Sequence, residues 1–579
     1  MHLSLKPEDV DVMNNSNLKS NFKMNKLSML VRVSIIGSTL AMAACSDTDE
    51  TNTEVTDAAL KRFATVPTGA EVTGMFITEA GDFFYNAQHP SDTNVYPANL
   101  ATVGVLTGQN MKTLPADFVA MGVPSTLEEK QSFKTAVGSY QMIAQEGNTV
   151  AGAFPFGLGA IVNVAGDGAV ALSDDPDFNA FVATNAESTE GYLFTNWEYR
   201  PGGMSRLQVT KDVNGNWSIG SAMNVDFSSV AGTWVNCFGT LSPWGTPLSS
   251  EELYFDDTSV WNEGTDSGVQ NLASYLGFTD GAVNWPNPYR YGYIVEITNP
   301  TATPAPEKRV AMGRYSHENA VVMPDNKTVY LSDDGSNVVF FKFVADVAND
   351  LSSGTLYAAK VTQDAGVTDA ALAGFDIQWI ELGHGDDAAI ESWIASYDSV
   401  TTADYVAGST SYISDAEIAA WAADMADNGT LDTVTDARVA FLESRKAAAA
   451  LGATDEFNKM EGVVINYAKA ADASVPYMYL AMSDVKGGMS DAAGDINVDE
   501  ARCGVVYQMQ LDTTTWNTSR MVPVVTGGAY DSSASVNQCD VEKIANPDNL
   551  LVLDDGRVVI GEDTSKHENN MIWIFNPDK

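Results

Sequence analysis

The sequence predicts an all-β chain folded as a β-propeller of about six blades, with sandwich repeats as the alternative. Short β-rich runs recur in pairs joined by polar, often acidic turns, as in residues 191–196 with 205–209, 328–332 with 338–343, 477–482 with 505–509 and 557–561 with 571–575. The turn-formers Pro324-Asp325-Asn326 and Asp554-Asp555-Gly556 precede two of these pairs. No helical pattern separates the paired runs, which favours hairpin blades over alternating strands and helices.

One region departs from the strand pattern. Residues 415–425 and 437–451 are Ala-rich and amphipathic, so we expect a helical insertion around residues 386–450, between two blades. A chain of 579 residues with 45% hydrophobic content can bury one large core or several small ones. We interpret residues 59–579 as one propeller domain that contains these helices.

The N-terminal segment resembles an export signal. Lys26 and Arg32 precede an apolar run, residues 33–44, that is too short to span a bilayer comfortably and ends at Cys45. Because residues 42–45 are similar to a bacterial lipobox, we expect residues 1–45 to be a leader, with Met24 as a plausible true start and a lipid on Cys45. Residues 46–58 read as a flexible tether. The expected location is the outer membrane, as a lipoprotein, or the periplasm or exterior of a Gram-negative bacterium.

The charge balance limits the partners. The formal net charge of −44 opposes binding to nucleic acid or to anionic lipid through the protein surface. Membrane attachment is therefore expected only through the lipid on Cys45, and we expect a monomer. The acidity has two interpretations, solubility in a salty medium or a requirement for bound cations, and the first explains most of it. An anionic substrate would need cations in the site.

Residues 236–252 are the most informative segment. They place the thiol of Cys237 and the adjacent carboxylates of Glu251 and Glu252 around a Pro-Trp-Gly turn. One soft and one hard ligand suit iron beside oxygen-bound calcium. The alternative is a buried structural cysteine beside solvated acids.

This segment resembles the Asn-Cys-Ala-Gly-Gly-x-Thr-Pro-Trp-Gly-Thr-x-Leu-x-x-Glu-Glu signature of the PhoX-type alkaline phosphatases. Asn196-Trp197-Glu198-Tyr199 is similar to the family's Asn-His-Glu-Tyr, and further blocks follow in the family's order at residues 313–318, 330–334, 341–343, 354–360, 451–454 and 546–549. The resemblance runs from about residue 190 to the C-terminus. Residues 69–74 and 86–90 resemble a block that the family carries near its C-terminus, and in a closed ring such a permutation leaves the fold unchanged.

The resemblance implies a calcium- and iron-dependent phosphomonoesterase that acts on small-molecule phosphate esters without a phosphorylated serine. It implies Cys237 and Glu252 as iron ligands, Glu318 and Glu461 as ligands to iron and calcium, and Asp548 and Glu198 in the calcium shell. Lys459 and Glu461 are the catalytic candidates. Glu251, Asp333, Asp334 and Asn549 are possible additional site residues, although the two aspartates would look the same in a hairpin turn.

Two departures from the family pattern bear on the predicted site. Asn458-Lys459-Met460-Glu461 stands where the family has Arg-Pro-Glu, and a lysine cannot reproduce the two-pronged contact of guanidinium with phosphate. We therefore expect retained metal binding with altered or weaker substrate engagement. Phe238 replaces the family's alanine and either narrows the site or fills a gap. His317, beside Glu318, reads as a packed histidine more than as a ligand.

Other functions find less support in the sequence. A non-catalytic, calcium-stabilised propeller for partner or glycan binding is one alternative, and a propeller hydrolase of other esters, such as lactones, is another. A lone calcium has no use for a thiolate, so Cys237 argues against the second. The chain has no Gly-x-Ser-x-Gly, His-Glu-x-x-His, Walker or Cys-x-x-Cys motif and only five histidines. Cys503 and Cys539 remain as a possible disulfide in an exported protein.

Overall fold

The computed structural model describes residues 59–579 except residues 254, 256–257, 429–435 and 471–475. The expected leader, the lipid-bearing Cys45 and the tether lie outside the described residues. Within the described part of the chain, no helix combines the length and the apolar character needed to cross a membrane.

The described strands and helices have the following bounds. The strands are β1 (Leu60–Thr65), β2 (Glu71–Ile77), β3 (Phe83–Gln88), β4 (Thr102–Thr107), β5 (Lys134–Thr135), β6 (Ser139–Gln145), β7 (Ala160–Val162), β8 (Ala169–Leu172), β9 (Pro176–Ala183), β10 (Glu190–Trp197), β11 (Gly203–Lys211), β12 (Trp217–Asn224), β13 (Asn236–Leu241), β14 (Pro247–Glu251), β15 (Ile294–Thr298), β16 (Ala305–Lys308), β17 (His317–Val322), β18 (Thr328–Asp333), β19 (Ser336–Val338), β20 (Phe341–Val347), β21 (Asp350–Gln363), β22 (Phe375–Asp386), β23 (Phe457–Asn458), β24 (Met460–Ile465), β25 (Tyr477–Met482), β26 (Val505–Leu511), β27 (Thr518–Thr526), β28 (Pro547–Val552), β29 (Val558–Glu562) and β30 (Met571–Phe575). The helices are α1 (Leu127–Lys130), α2 (Ser267–Tyr275), α3 (Asp387–Ala395), α4 (Asp415–Asn428), α5 (Arg438–Leu442), α6 (Ser444–Ala450) and α7 (Tyr467–Ala470).

Antiparallel sheets form six blades. Blade 1 contains β2, β3, β4 and β6, blade 2 contains β9 to β12, and blade 3 contains β13 to β16. Blade 4 contains β17, β18, β20 and β21 with β22 added outside, blade 5 contains β24 to β27, and blade 6 contains β28, β29, β30 and β1 with β5 outside. The innermost strands β2, β9, β13, β17, β24 and β28 each contact the next around a closed ring. The predicted all-β propeller of six blades is confirmed.

Blade 6 takes strands from both ends of the described chain. β1 pairs antiparallel with β30, from Leu60 opposite Phe575 to Thr65 opposite Met571. This pairing closes the ring and leaves no open edge between the first and last blades. Beside it, the backbone N–H of Met75 in β2 donates to Asn549 Oδ1 at 3.4 Å. Residues 69–90 therefore pack next to the C-terminal strands, as the permutation hypothesis requires.

The expected helical insertion is present between blades 4 and 5. It contains α3 to α6, and α3 begins after Asp386, whose side chain accepts a hydrogen bond from the N–H of Ala389. The helix expected over residues 437–451 is divided into α5 and α6 at Glu443, whose φ and ψ of −131° and 50° leave the helical region. Ile390 and Ile394 bury the inner face of α3 in the core of blade 4.

Cys503 and Cys539 form a disulfide with their Cα atoms 6.0 Å apart. Cys503 precedes β26 of blade 5, and Cys539 lies in the connection that leads to β28 of blade 6, so the bond joins two neighbouring blades. The predicted pairing is present. In the chain-entropy description, closing a loop with a sequence separation of 36 stabilises the fold by about 4 kcal/mol.

Candidate metal centre

Five of the six innermost strands carry a ligand-type side chain at their second residue. These residues are Asp177 in β9, Cys237 in β13, Glu318 in β17, Glu461 in β24 and Asp548 in β28. Because side chains alternate along a strand, the same position in neighbouring inner strands faces the same side of the ring. β2 is the exception, since its carboxylate, Glu71, is the first residue of the strand.

A second set of polar side chains comes from the residue that directly follows the second strand of each blade. The six residues are His89, Glu198, Glu252, Asp334, Ser483 and Asp563. Several of them bond to the first set. Ser483 Oγ donates to Glu461 Oε1 at 2.6 Å, and His89 Nε2 lies 2.6 Å from Glu71 Oε2. The propeller symmetry therefore gathers residues that are distant in sequence at one end of the channel.

Three groups of these side chains bring ligand atoms within 4.8 Å of one another. They are Asp177 with Glu198 and Cys237, Cys237 with Glu252 and Glu318, and Glu318 with Glu461 and Asp548. Cys237 Sγ lies 3.0 Å from Asp177 Oδ2 and 3.3 Å from Glu318 Oε2. Since neighbouring groups share Cys237 or Glu318, they form one continuous row with space for adjoining cations.

Electrostatics favour cations in this row. Burial, and then the neighbouring carboxylates, raise the pKa of Cys237, Glu318 and Asp548 well above their ordinary values. Burial and Asp334 raise the pKa of Glu461 to about 8. Desolvated like charges cannot all ionise together, so the row holds protons unless cations replace them.

A buried carboxylate oxygen without a partner is a second sign that metal ions fit this row. Asp177 is 3% exposed, and its Oδ1 has no hydrogen-bond partner among the described residues. A buried acceptor without a donor is costly, and a cation would satisfy it. The donor set, one thiol among carboxylates, therefore fits metal ions.

Comparison with known proteins decides the family. Residues 203–576 match the family described as alkaline phosphatase PhoX. The chain belongs to this family. As a PhoX alkaline phosphatase it is a phosphoric monoester hydrolase, and its family is metal-dependent. The predicted resemblance is confirmed.

One solved structure supports the fold. Pseudomonas fluorescens PhoX in complex with vanadate, a transition state analogue, has 19% identity and a TM-score of 0.51, over 90% of this chain and 88% of that one. A putative 6-phosphogluconolactonase from Bacteroides uniformis has 9% identity and a TM-score of 0.28, over 86% of this chain and 89% of that one, too low a similarity to support an argument. No curated protein matches the chain.

Lys459, which stands in place of the arginine of the PhoX pattern, reaches the centre. Its Nζ lies 2.6 Å from Asp334 Oδ2, and its side chain is 40% exposed. Burial alone would lower the pKa of Lys459, but Asp334, Glu461 and Glu252 outweigh that effect and raise it well above its usual range. Its left-handed φ of 55° is held by a hydrogen bond from its N–H to the carbonyl of Gly335 at 2.7 Å. Lys459 therefore presents a fixed positive charge beside the acidic row.

Glu251 and Asp333 form hydrogen bonds and ion pairs outside the row. Lys308 Nζ donates to Glu251 Oε1 at 2.8 Å, and the N–H groups of Trp234, Gly292 and Tyr293 also donate to this carboxylate. Arg445 Nε donates to Asp333 Oδ2 at 2.8 Å. Both acids are structural ion-pair partners.

Of the remaining candidates, Asp334 belongs to the metal centre, and Asn549 orients one of its ligands. Asp334 lies at the centre, where its carboxyl group shares a hydrogen bond with Glu252. Asn549 Nδ2 donates to Asp548 Oδ2 at 3.0 Å and orients that carboxylate. His317 packs as expected, since Nε2 lies 2.9 Å from the carbonyl of Gly313 and burial lowers its pKa to about 3. Phe238 is 3% exposed and packs edge-on against Phe178, so it fills a gap between β13 and β9.

Sequence reasoning missed Asp177 and Glu71. One signal was present for Asp177: Pro176-Asp177 opens β9 as Pro547-Asp548 opens β28, and only the second pair was recognised. Glu71 lay inside a block that was noted for its permuted position. Asp563, which shares a hydrogen bond with Glu71, could not be told from a solvated acid at a blade tip.

Proposed function

We propose that this phosphatase is a calcium- and iron-dependent phosphomonoesterase of small-molecule esters that works outside the cytoplasm. The observation that carries the proposal is the row of three ligand groups in which Cys237 belongs to two. A thiolate favours iron, whereas an all-carboxylate group favours calcium. We assign iron to Cys237, Glu252 and Glu318.

The remaining groups suit calcium. Glu318, Glu461 and Asp548 offer only oxygen, and Glu198 with Asp177 extends the row beyond Cys237. When bound, such cations neutralise the phosphate oxygens and polarise the phosphorus atom. They would also reverse the local field, which otherwise repels an anionic ester from a chain of net charge −44.

The residues of the chain position these ligands and the substrate. Ser483 orients Glu461 through the 2.6 Å bond to Oε1, and Gln88 Nε2 holds Glu198 Oε2 at 3.1 Å. Lys459 supplies a positive charge to a phosphate oxygen, and Asp334 holds that charge in place. Because an ammonium group contacts phosphate as a point charge, we expect weaker orientation than a guanidinium would give.

The location is part of the proposal. The Cys503–Cys539 disulfide is typical of oxidising compartments, and it supports export. The lipobox-like residues that end at Cys45 support a lipid anchor on the outer membrane or release into the periplasm. The binding propeller and the lactonase remain the competing hypotheses. A lone calcium has no use for the buried thiol of Cys237, which argues against the lactonase.

The first experiment measures phosphate release from p-nitrophenyl phosphate by the purified chain with calcium and iron, before and after chelation. We expect turnover that chelation abolishes, that the two metals restore and that Cys237→Ala lacks. The matched control is the double variant Cys503→Ala, Cys539→Ala, which removes cysteines that belong to none of the three ligand groups and should keep its turnover per folded molecule. A folded, calcium-bound but inert wild-type protein would instead favour the binding propeller.

A further inference from the structure

Arg200 lies in the loop between β10 and β11, two residues after Glu198 of the metal centre. Two residues span at most about 7 Å of extended chain, so the backbone of Arg200 stays at the rim of the ligand group that contains Glu198. The N–H of Val235, two residues before Cys237, donates to the carbonyl of Tyr199 at 2.9 Å. This bond fixes the loop where blade 2 meets blade 3.

The side chain of Arg200 rests on α2, which lies in the connection between β14 and β15. Gly268, in the first turn of α2, comes so close that a Cβ atom there would lie 2.9 Å from Arg200 Cδ and 3.0 Å from Arg200 Cβ. The same Cβ atom would lie 3.1 Å from the ring of Trp234. Glycine at this position therefore leaves room for the arginine stem between the helix and the loop.

The guanidinium group of Arg200 makes no hydrogen bond and no ion pair with the described residues. Every other arginine in the described part of the chain donates at least one hydrogen bond. Arg200 is exposed and Glu198 is half-buried, so this end of the row is open to solvent. Five N–H donors thus face water beside the acidic row of a chain of net charge −44.

The charge of Arg200 acts on the metal centre through Glu198. Burial raises the pKa of Glu198, whereas the hydrogen bond from Gln88 and the positive charge of Arg200 lower it. Glu198 Oε2 accepts its hydrogen bond from Gln88 Nε2 at 3.1 Å and forms no ion pair with Arg200. The carboxylate therefore stays available to a cation, and the guanidinium stays available to an anion that such a cation attracts.

Lys459 differs from Arg200 in its surroundings. Its Nζ lies 2.6 Å from Asp334 Oδ2, so its charge already has a counter-charge in the protein. An ammonium group also contacts phosphate as a point charge, whereas a guanidinium group offers two parallel N–H donors. The cation that is best suited to phosphate at this centre is therefore the one without an acidic partner.

We propose that Arg200 binds the phosphate group of the substrate at the metal centre and supplies the two-pronged contact that Lys459 cannot make. This assignment rests on the proposed function. Arg200 approaches from the side of Asp177 and Glu198, whereas Lys459 approaches from the side of Asp334 and Glu461. The two cations would therefore contact different oxygens of one phosphate group, and the substrate would be oriented from two blades.

The test measures the binding of inorganic phosphate by calorimetric titration of the chain supplied with calcium and iron. Arg200→Gln keeps the Cβ, Cγ and Cδ atoms that pack on Gly268 but removes the charge and the two donors. We expect its Kd for phosphate to rise at least about tenfold, and kcat/KM for p-nitrophenyl phosphate to fall by a similar factor, as for lost hydrogen bonds between charged groups. Elemental analysis should find the same metal content as in the wild type.

Two further variants separate the shape of the group from its charge. Arg200→Lys keeps the charge but loses the planar pair of donors, so phosphate affinity should fall about threefold to tenfold. The control Arg520→Gln changes the net charge of the protein by the same amount. Arg520 lies on the outer strand β27, where it pairs with Asp364 and Asp376, so both phosphate affinity and turnover per folded molecule should stay at the wild-type value.

Unchanged phosphate affinity in Arg200→Gln overturns the assignment, and wild-type affinity in Arg200→Lys overturns the two-pronged contact. Loss of metal from Arg200→Gln also overturns it, since Arg200 would then support Glu198 and not the substrate. If the wild type hydrolyses p-nitrophenyl phosphate and Arg200→Gln does so equally well, the proposed function stands without Arg200. If phosphate binding depends on Arg200 but no ester is hydrolysed, the proposed function fails and the phosphate contact stands. A chain that neither binds phosphate nor hydrolyses the ester overturns both.

Discussion

Glu251 and Glu252 are adjacent and buried, yet they have opposite surroundings. Glu251 ends β14 and receives donors from Lys308 and from three backbone N–H groups. Glu252 lies one residue further, shares a hydrogen bond with Asp334 and faces Cys237 and Glu318. Burial raises the pKa of both carboxyl groups, but Lys308 opposes the rise at Glu251, whereas Asp334 adds to it at Glu252.

The same contrast recurs in two other blades. Asp333 ends β18 and pairs with Arg445, whereas Asp334 reaches the centre. Glu562 ends β29 and lies 3.0 Å from His567 Nδ1, whereas Asp563 shares a hydrogen bond with Glu71. In each pair the last residue of the strand is a compensated structural acid, and the next residue serves the centre. Proximity in sequence therefore says little about function unless the partners are known.

The largest expected effect comes from an acid of the row. Glu318→Gln should lower phosphatase kcat/KM by about 10³-fold, because a metal-polarised phosphate is worth several kcal/mol of barrier. The chelated variant should be as stable as the chelated wild type or more so, since the substitution removes like-charge repulsion. Steady-state kinetics and thermal unfolding measure both, and a strongly destabilised variant would contradict the assignment of Glu318 to the row.

The neighbouring structural acid should give the reverse result. Glu251→Gln leaves the charge of Lys308 buried without its counter-charge, so the free energy of unfolding should fall by about 3–5 kcal/mol. Turnover per folded molecule should stay within about threefold of wild type, because Glu251 belongs to none of the ligand groups. Denaturant titration together with active-fraction kinetics tests this, and a stable but inactive variant would place Glu251 in the centre after all.

The pH dependence of cation binding further distinguishes the acids of the row from the structural acids. With a pKa of about 8 in the metal-free fold, Glu461 holds a proton that a cation must displace. Cation affinity should therefore rise about tenfold per pH unit for each displaced proton, with the contribution of Glu461 ending near pH 8.

The stability of the chelated protein should change in the opposite direction. Below pH 8 and above the ordinary pKa of 4.5, the folded state binds more protons at Glu461 than the unfolded state does. Stability without cations should therefore fall as pH rises through this window. Calorimetric titration in two buffers of different ionisation enthalpy and thermal unfolding at several pH values measure the two trends. Affinity that does not change with pH would contradict the protonated row.

The smallest expected effect concerns the departure from the PhoX pattern. Lys459→Arg should raise kcat/KM on p-nitrophenyl phosphate about threefold, because guanidinium contacts phosphate through two donors. The control Lys459→Gln removes the positive charge and should lower kcat/KM. Equal activity of the arginine variant and the wild type would show that this position contributes charge alone.

Much of this centre follows from the sequence, and the part that does not has a physical reason. Cys237, Glu252, Glu318, Glu461 and Asp548 stand in motif blocks, and each meets the others because the blades repeat the same register. The compensation of Glu251 could not be predicted, since Lys308 is 57 residues away and reaches it only through the pairing of β14, β15 and β16.

Asp177 and Glu71 show which part of the centre the sequence does not predict. Asp177 lies before residue 190, where the continuous resemblance begins, and Glu71 lies in the permuted block at residues 69–74. Their place follows only from ring closure, which brings blades 1 and 2 against blades 6 and 3. The six blades were predictable because hairpin spacing is local, whereas the order of blades around the channel depends on contacts between distant segments.

The closure of blade 6 also sets an order of events during biosynthesis. The row takes ligands from Asp177 to Asp548, and β1 cannot find its neighbour until β30 has been made. A ribosome must therefore complete nearly the whole polypeptide before the group of Glu318, Glu461 and Asp548 is complete. Chains that stop early lack Asp548 and the ring together, so unfinished copies should remain inactive instead of acting as partial hydrolases.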